Sequence, residues 1–258
     1  MIVKTLLAAL VAGLIAGVFM TAAQELRVVP LILHAEEFEV KEPAAEPPAT
    51  TEGQQQQQSS LNRSSVIGEM LSALSPVTPA YAHEGEHEEE GGIMFGMSRF
   101  SGTLLANLVA GAGFGLLLAG ASLVFNQPIT LRNGAIWGIC GWLAVHLLPA
   151  VGLPPELPGF PAADLQDRKI WWLAAIVLSV AGLYLIVLRG EIVAKIAGLV
   201  LIAAPHAYGA PQPSDLSSPV PAVLGAEFAV AALATTLAFW LVLGVISGYL
   251  NERFLKSA

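Results

Sequence analysis

Long apolar runs, separated by short polar turns and by one long polar segment, set the pattern of this chain. Six of them approach the roughly 20 mostly apolar residues that a helix needs to cross a hydrocarbon core of about 30 Å. They cover residues 5–23, 103–125, 134–151, 170–188, 192–205 and 223–250. Lipid offers no partner to open backbone groups, so the runs are expected to be helical. The fifth is short and carries Lys195 one turn in from its end, where a long stem can reach the headgroups. The sixth is long enough to tilt. The expected fold class is all-α: a polytopic transmembrane helical bundle of about six helices, five if the first is cleaved or the fifth does not cross, with a low-complexity outer arm.

The first run has two readings. Lys4, an apolar centre and the small residues Thr21, Ala22 and Ala23 ahead of Gln24 suit a signal peptide. The run is longer than a usual signal core, and Gly13 and Gly17 form a GxxxG contact pattern, which favours a retained helix. Similar pairs at Gly111/Gly115 and Gly244/Gly248 suggest three close helix contacts.

Between the first two runs the composition changes. Pro47, Pro48, the glutamines Gln54 to Gln58 and many Ser and Thr residues make a low-complexity linker. Val66 to Leu74 suits a short amphipathic turn, and the acidic run His83-Glu84-Gly85-Glu86-His87-Glu88-Glu89-Glu90 follows. Three regions result: 1–39, the first helix and an outer His/Glu segment; 40–98, the acidic, Gln- and His-bearing outer arm; and 99–258, the helical bundle.

Composition agrees with the membrane reading. The chain is 55% hydrophobic and 12% charged, against about 25% charged residues in a soluble domain, too few to coat a globule. The net charge of −8 comes mostly from the arm. One cysteine, Cys140, lies inside an apolar run and excludes an intrachain disulfide and any multi-cysteine metal site. Six crossings with both termini inside leave Lys4, Arg132, Arg189, Lys195, Arg253 and Lys256 on the inner side. Arg27, Lys41, Arg63, Arg99, Arg168 and Lys169 fall outside, with Lys41 and Arg63 in the arm, where the positive-inside rule does not count them. The expected location is the cell inner membrane, with the arm on its outer side.

That topology collects the metal-ligand residue types on one face. His34 follows the first helix, His146 is near the outer end of the third, and His206 directly follows Pro205 at the outer end of the fifth. Glu36, Glu37, Glu39, Glu156, Asp164, Asp167 and Asp215 share that side, and Glu227 sits a turn or two inside the sixth helix. A carboxylate there is costly unless it faces a cavity or a partner. Imidazole and carboxylate together suit divalent Co, Ni, Zn, Fe or Mn. The candidate metal set is His34, Glu36, Glu39, His146, Asp164, His206 and Glu227, with His83 and His87 as a loose metal-collecting arm. Trp137 with Trp142, and Trp171 with Trp172, are expected in the interfacial aromatic belt. The stretch VGLPPELPG from Val151 is read as a rigid loop that displays Glu156.

These residues resemble the CbtA family of predicted cobalt transporter subunits. The likeness is carried by Pro30-Leu31-Ile32-Leu33 leading to Ala35-Glu36-Glu37-Phe38-Glu39, and by Gly111 with Gly115. It continues in His146-Leu147-Leu148-Pro149-Ala150 running into VGLPPELPG, and in Asp164-Leu165 with Arg168, Trp171 and Trp172. Pro205-His206 with Phe239-Trp240 complete it, and it spans most of 1–39 and 95–258. The resemblance implies a permease-like subunit for cobalt uptake that works with a small single-helix partner, CbtB.

The function expected is uptake of a divalent metal, captured at an outer His/carboxylate site and passed through the bundle. A non-transporting scaffold and a haem-bearing electron-transfer subunit are the alternatives. No enzyme activity is expected: GxSxG, HExxH and the phosphate-binding GxxxxGK[ST] are absent. An inside-negative potential favours entry of a divalent cation by about 4.6 kcal/mol per 100 mV. The metal is cargo and no permanently bound cofactor is expected. The expected partners are the lipid bilayer, the metal and the small subunit, and no nucleic acid.

Overall fold

The computed structural model describes residues 2–39 and 98–256, and every regular element among them is helical. These residues belong to one compact unit. Helix α1 runs Ile2–Arg27 and α2 Val29–Glu39. Helix α3 is Arg99–Val124, capped by Ser98, whose side chain accepts from the Ser101 N–H. Helix α4 spans Gly134–Ala150 and contains a π-helical turn at Leu143–Leu147. Helices α5 (Leu165–Leu188), α6 (Ile192–Tyr208) and α7 (Ala222–Lys256) follow.

Four helices are long and apolar enough to cross a membrane: α1, α3, α5 and α7. The shorter apolar α4 and α6 each pack along part of a longer neighbour. Helix α4 lies antiparallel to α7, from Gly134 against Gly244 to Trp142 against Leu233. Helix α6 lies antiparallel to α5, from Gly198 against Gly182 to Pro205 against Trp171. The six helices α1, α3, α4, α5, α6 and α7 therefore alternate in direction, and Lys4 Nζ donates to the Phe254 carbonyl at 3.3 Å, bringing the start of α1 to the end of α7.

Close packing is made by glycine. A Cβ on Gly13 would overlap the Gly111 carbonyl, and one on Gly111 would overlap that of Gly13. Gly134 and Gly244 oppose each other in the same way, as do Gly182 and Gly198. In lipid, where apolar surface gains little by burial, such close backbone approach carries helix association. The three close contacts are present with other pairings than the motifs suggest. The first two motifs meet each other, Gly244/Gly248 meets Gly134/Gly138 and Thr130, and Gly182/Gly198 is no GxxxG at all.

Helix α1 is the hub. Ala8, Ala12 and Ala16 are fully buried, and 44% of its most apolar window is buried, against 22–28% in the other three long helices. A polar staple ties it to α3: Asn107 Nδ2 donates to Thr21 Oγ1 at 3.1 Å and to Gln24 Oε1 at 2.6 Å. Outward-facing Val109, Leu117, Leu173, Val177, Leu199 and Val200 are exposed, as lipid-facing residues are.

The element missing from the hydrophobic pattern is α2. Its Ala35 is fully buried with Leu157, Val220 and Leu224, and Leu31, Ile32 and Phe38 pack around them. Pro30 is tolerated in a first turn, whose N–H groups lack helical partners. The helix ends also extend beyond the apolar runs: α5 begins at Leu165 because Asp164 caps it, not at residue 170. Residues 40–97, including the short amphipathic turn expected at Val66 to Leu74, lie outside the described residues.

Candidate functional site

One end of the bundle gathers α2, the start of α3, the end of α4, the 151–164 loop, the start of α5, the end of α6 and the start of α7. Trp171 is central to it. The indole is buried, not set in the interfacial belt as its sequence context suggests, and its Nε1 donates to the Pro205 carbonyl at 3.1 Å. Trp172, its neighbour, is exposed. The His206 ring meets Trp171 edge-on, with centroids 5.6 Å apart. Both His206 nitrogens are sealed from solvent and have no hydrogen-bond partner. A buried polar atom without a partner costs about 1–3 kcal/mol, so this ring is left incomplete by the protein alone.

At the same end of the bundle, Glu156 Oε2 accepts from Arg168 Nη2 at 2.8 Å. Arg168 precedes Trp171 by three residues on α5, which makes the two side chains neighbours on one helix face. The loop that presents Glu156 is seated at both ends. Gly152 lies against the Trp171 indole so closely that a Cβ would overlap it, and Leu157 is buried against α2 and α7. Ser218 Oγ donates to the Gly159 carbonyl at 2.9 Å, joining this loop to 209–221.

His146 is placed differently. It lies in the π-helical turn of α4, and Trp240 Nε1 on α7 donates to its Nδ1 at 3.1 Å. Phe114 of α3 approaches the same ring at 6.0 Å. Pro149 has no N–H for the Val145 carbonyl and crowds it, and the turn ahead opens so that Leu148 N–H reaches the Leu143 carbonyl. An Nδ1 that accepts an indole proton carries none, so the neutral ring holds its proton at Nε2. His146 and His206 thus pack on different tryptophans from different helices.

The other expected ligands are dispersed. His34 is exposed on α2 and stacks on Phe38 at 5.6 Å. Glu36 is bidentate to Arg99, at 3.1 and 3.4 Å. Asp164 caps α5, accepting from the N–H groups of Gln166 and Asp167 at 2.8 and 3.2 Å. Glu227 is exposed, lining with Arg27, Val230 and Thr235 a groove of about 710 Å³ between α1 and α7. Asp215 is held below the usual carboxyl range by the N–H and hydroxyl of Ser217. Glu39 closes α2, and its side chain, like His83 and His87, lies outside the described residues. Among the described residues no three His, Cys, Asp or Glu side chains come together as a metal cluster.

Sequence reasoning passed over the Asn107 staple, the role of Trp240 and the pairing of Trp142, whose Nε1 donates to the Leu233 carbonyl and Thr236 Oγ1 at 3.1 and 3.2 Å. A signal was present for one of them: an asparagine inside an apolar run seeks an interhelical partner. The tryptophans gave none, because an indole in a belt and an indole between helices look alike in sequence.

Comparison with known proteins gives one match. The family model described as probable cobalt transporter subunit (CbtA) matches residues 2–252. No curated protein and no solved structure matches the chain.

Proposed function

The chain belongs to the CbtA family of probable cobalt transporter subunits, and from that premise we propose that it is the permease subunit for uptake of a divalent metal, with cobalt as cargo. Metal enters at the end of the bundle that carries His206, which faces outward across the inner membrane, and moves between the helices toward the end that carries Lys4 and Arg253. The observation that supports this reading best is His206, whose two nitrogens are buried and unpartnered. An imidazole without a protein partner has a lone pair free for a divalent ion, and nitrogen with carboxylate oxygen is a donor set that cobalt accepts.

A membrane potential supplies the driving force, and a small single-helix CbtB-like subunit completes the transporter. His34, Glu36, Glu39 and Glu227 collect cations at the mouth, with His83 and His87 as the outermost arm. Asp164 serves by fixing the start of α5, where Arg168 and Trp171 sit.

The test is cobalt accumulation in cells lacking their own importers, with the chain expressed alone and with its small partner. Uptake is expected, and His206→Ala should lower it about tenfold or more with the protein still in the membrane. Uptake that His206→Ala leaves unchanged removes His206 from the path. Absence of uptake in either form, with the protein confirmed in the membrane, favours the scaffold reading.

A further inference from the structure

We propose that the groove between α1 and α7 binds one phospholipid with an ethanolamine headgroup: its phosphate on Arg27, its ammonium on Glu227 and an acyl chain between the two helices. The site is separate from His206 and stands whether or not the chain carries metal.

The groove follows one face of α7. Val223, Ala226, Glu227, Val230 and Ala234 recur there at helical spacing, and Arg27, the last residue of α1, lines it with them. Leu224 and Phe228, on another face of α7, are taken up by packing with Ala35 of α2. The groove face is left open, with Val223 and Val230 exposed by 70% and 69%. Hydrocarbon holds no water to fill such a recess, so lipid or protein fills it.

Its length favours lipid. The lining ends at Thr235, so it follows α7 from Val223 for about 18 Å at 1.5 Å per residue. That is the depth of one leaflet, since the hydrocarbon core of both together is about 30 Å. Deeper along α7, Phe239, Trp240 and Leu243 are buried in the core with Ala12, Ala16 and Met20 of α1, which closes the gap. A partner helix that crosses the membrane would need a groove of the full depth, whereas one lipid needs a single leaflet. The volume of about 710 Å³ is that of a small-molecule site.

Charge selects the headgroup. Arg27 and Glu227 are both exposed, and among the described residues neither makes an ion pair, with the other or with any third group. Two unpaired charges of opposite sign beside hydrocarbon are costly unless a partner meets them. A phosphoethanolamine headgroup meets both at once. Its phosphate suits the guanidinium fork, and its primary ammonium has N–H donors for the carboxylate. A choline headgroup has no N–H to give, and a glycerol headgroup sets net negative charge beside Glu227. The tail end makes no polar demand, because Thr235 Oγ1 already donates to the Ala231 carbonyl at 2.9 Å. As a collector of cations at the mouth, Glu227 meets ammonium and metal alike, so a bound lipid holds that carboxylate from metal.

The test is native mass spectrometry of the delipidated full-length protein in detergent. It is titrated with dioleoyl phospholipids carrying ethanolamine, choline or glycerol headgroups. The ethanolamine lipid should bind about tenfold or more tighter than the other two. Arg27→Gln and Glu227→Gln should each weaken it about tenfold, and Glu227→Gln should at the same time strengthen binding of the glycerol lipid. Ala234→Phe, at an exposed position in the groove, should weaken all three, while Val109→Phe on the lipid-facing side of α3 should change none. Melting curves confirm that each variant is folded; if Ala234→Phe is not, the two charge substitutions decide. Equal affinity for the three lipids, or ethanolamine-lipid binding that both charge substitutions leave unchanged, overturns the inference. So does a dimer in the parent spectra that Ala234→Phe abolishes while lipid binding persists, which would give the groove to a second copy of the chain.

Discussion

At the scale of single residues, the partly buried His146 and His206 differ by one hydrogen bond. Trp240 gives its indole proton to His146 Nδ1, while His206 receives nothing and gives nothing. The first ring is thereby fixed as a donor at Nε2 and cannot offer a lone pair to a cation until Trp240 withdraws. Trp240→Phe should release that constraint. The imidazole nitrogen resonances of His146, one protonated Nε2 in the parent, should become a mixture of tautomers, and about 1 kcal/mol of stability should be lost with the bond. An unchanged Nε2–H signal in the variant would mean that another group sets the tautomer.

At the scale of elements, helix pairs are joined where two glycines face each other and not wherever a glycine occurs. Gly134 and Gly244 each lie against the other's backbone, whereas Gly113 and Gly120 on α3 have open space where a Cβ would go. Alanine at Gly134 or Gly244 should therefore push α4 from α7 and cost about 1–3 kcal/mol, seen as a lower melting temperature. Alanine at Gly113 or Gly120 should leave the melting temperature unchanged or raise it, because alanine is the better helix former. Equal losses at all four positions would show that the crossings are not what these glycines are for. The π-helical turn belongs to the same scale. Pro149 opens it, and the opening brings His146 to the level of Trp240 and Phe114.

For the whole molecule, the candidate ligand residues gather at one end, while charged residues lie at both. Lys4, Arg132, Arg189, Lys195 and Arg253 lie at the end where Lys4 meets Phe254, and Glu156, Arg168, His206 and Glu227 lie at the other. The uptake proposal takes the Lys4 end as the inner one and the His206 end as the outer one. A cysteine placed at Gln58, with Cys140→Ala, should be labelled in intact cells by a membrane-impermeant maleimide. Labelling only after lysis would invert the orientation and make the same end an exit. Helix α1, with Ala8, Ala12 and Ala16 fully buried between α3 and α7, should remain in the mature protein. Mass measurement of the protein purified from membranes should find residues 2–23 present. Their removal as a signal would leave the facing glycines of α3 without a partner helix.

The pattern of apolar runs was enough to determine an all-helical membrane protein and the rough extent of six helices, because lipid permits so few ways to satisfy a backbone, while short motifs carried the family resemblance. It also placed Glu156 in one loop and His206 at one helix end. It could not find α2, whose burial depends on Leu157, Val220 and Leu224 from loops and a helix far along the chain. Nor could it pair the glycines, since a GxxxG states that a helix face is flat without saying which other face meets it. The site followed the same division. Residue types and spacing made His146 and His206 alike, and only the packing of α7 on α4 and of α6 on α5 gave one ring a donor and left the other bare. Hydrogen-bond satisfaction is a property of neighbours brought together in space, and those neighbours are about 90 residues away for His146 and about 35 for His206.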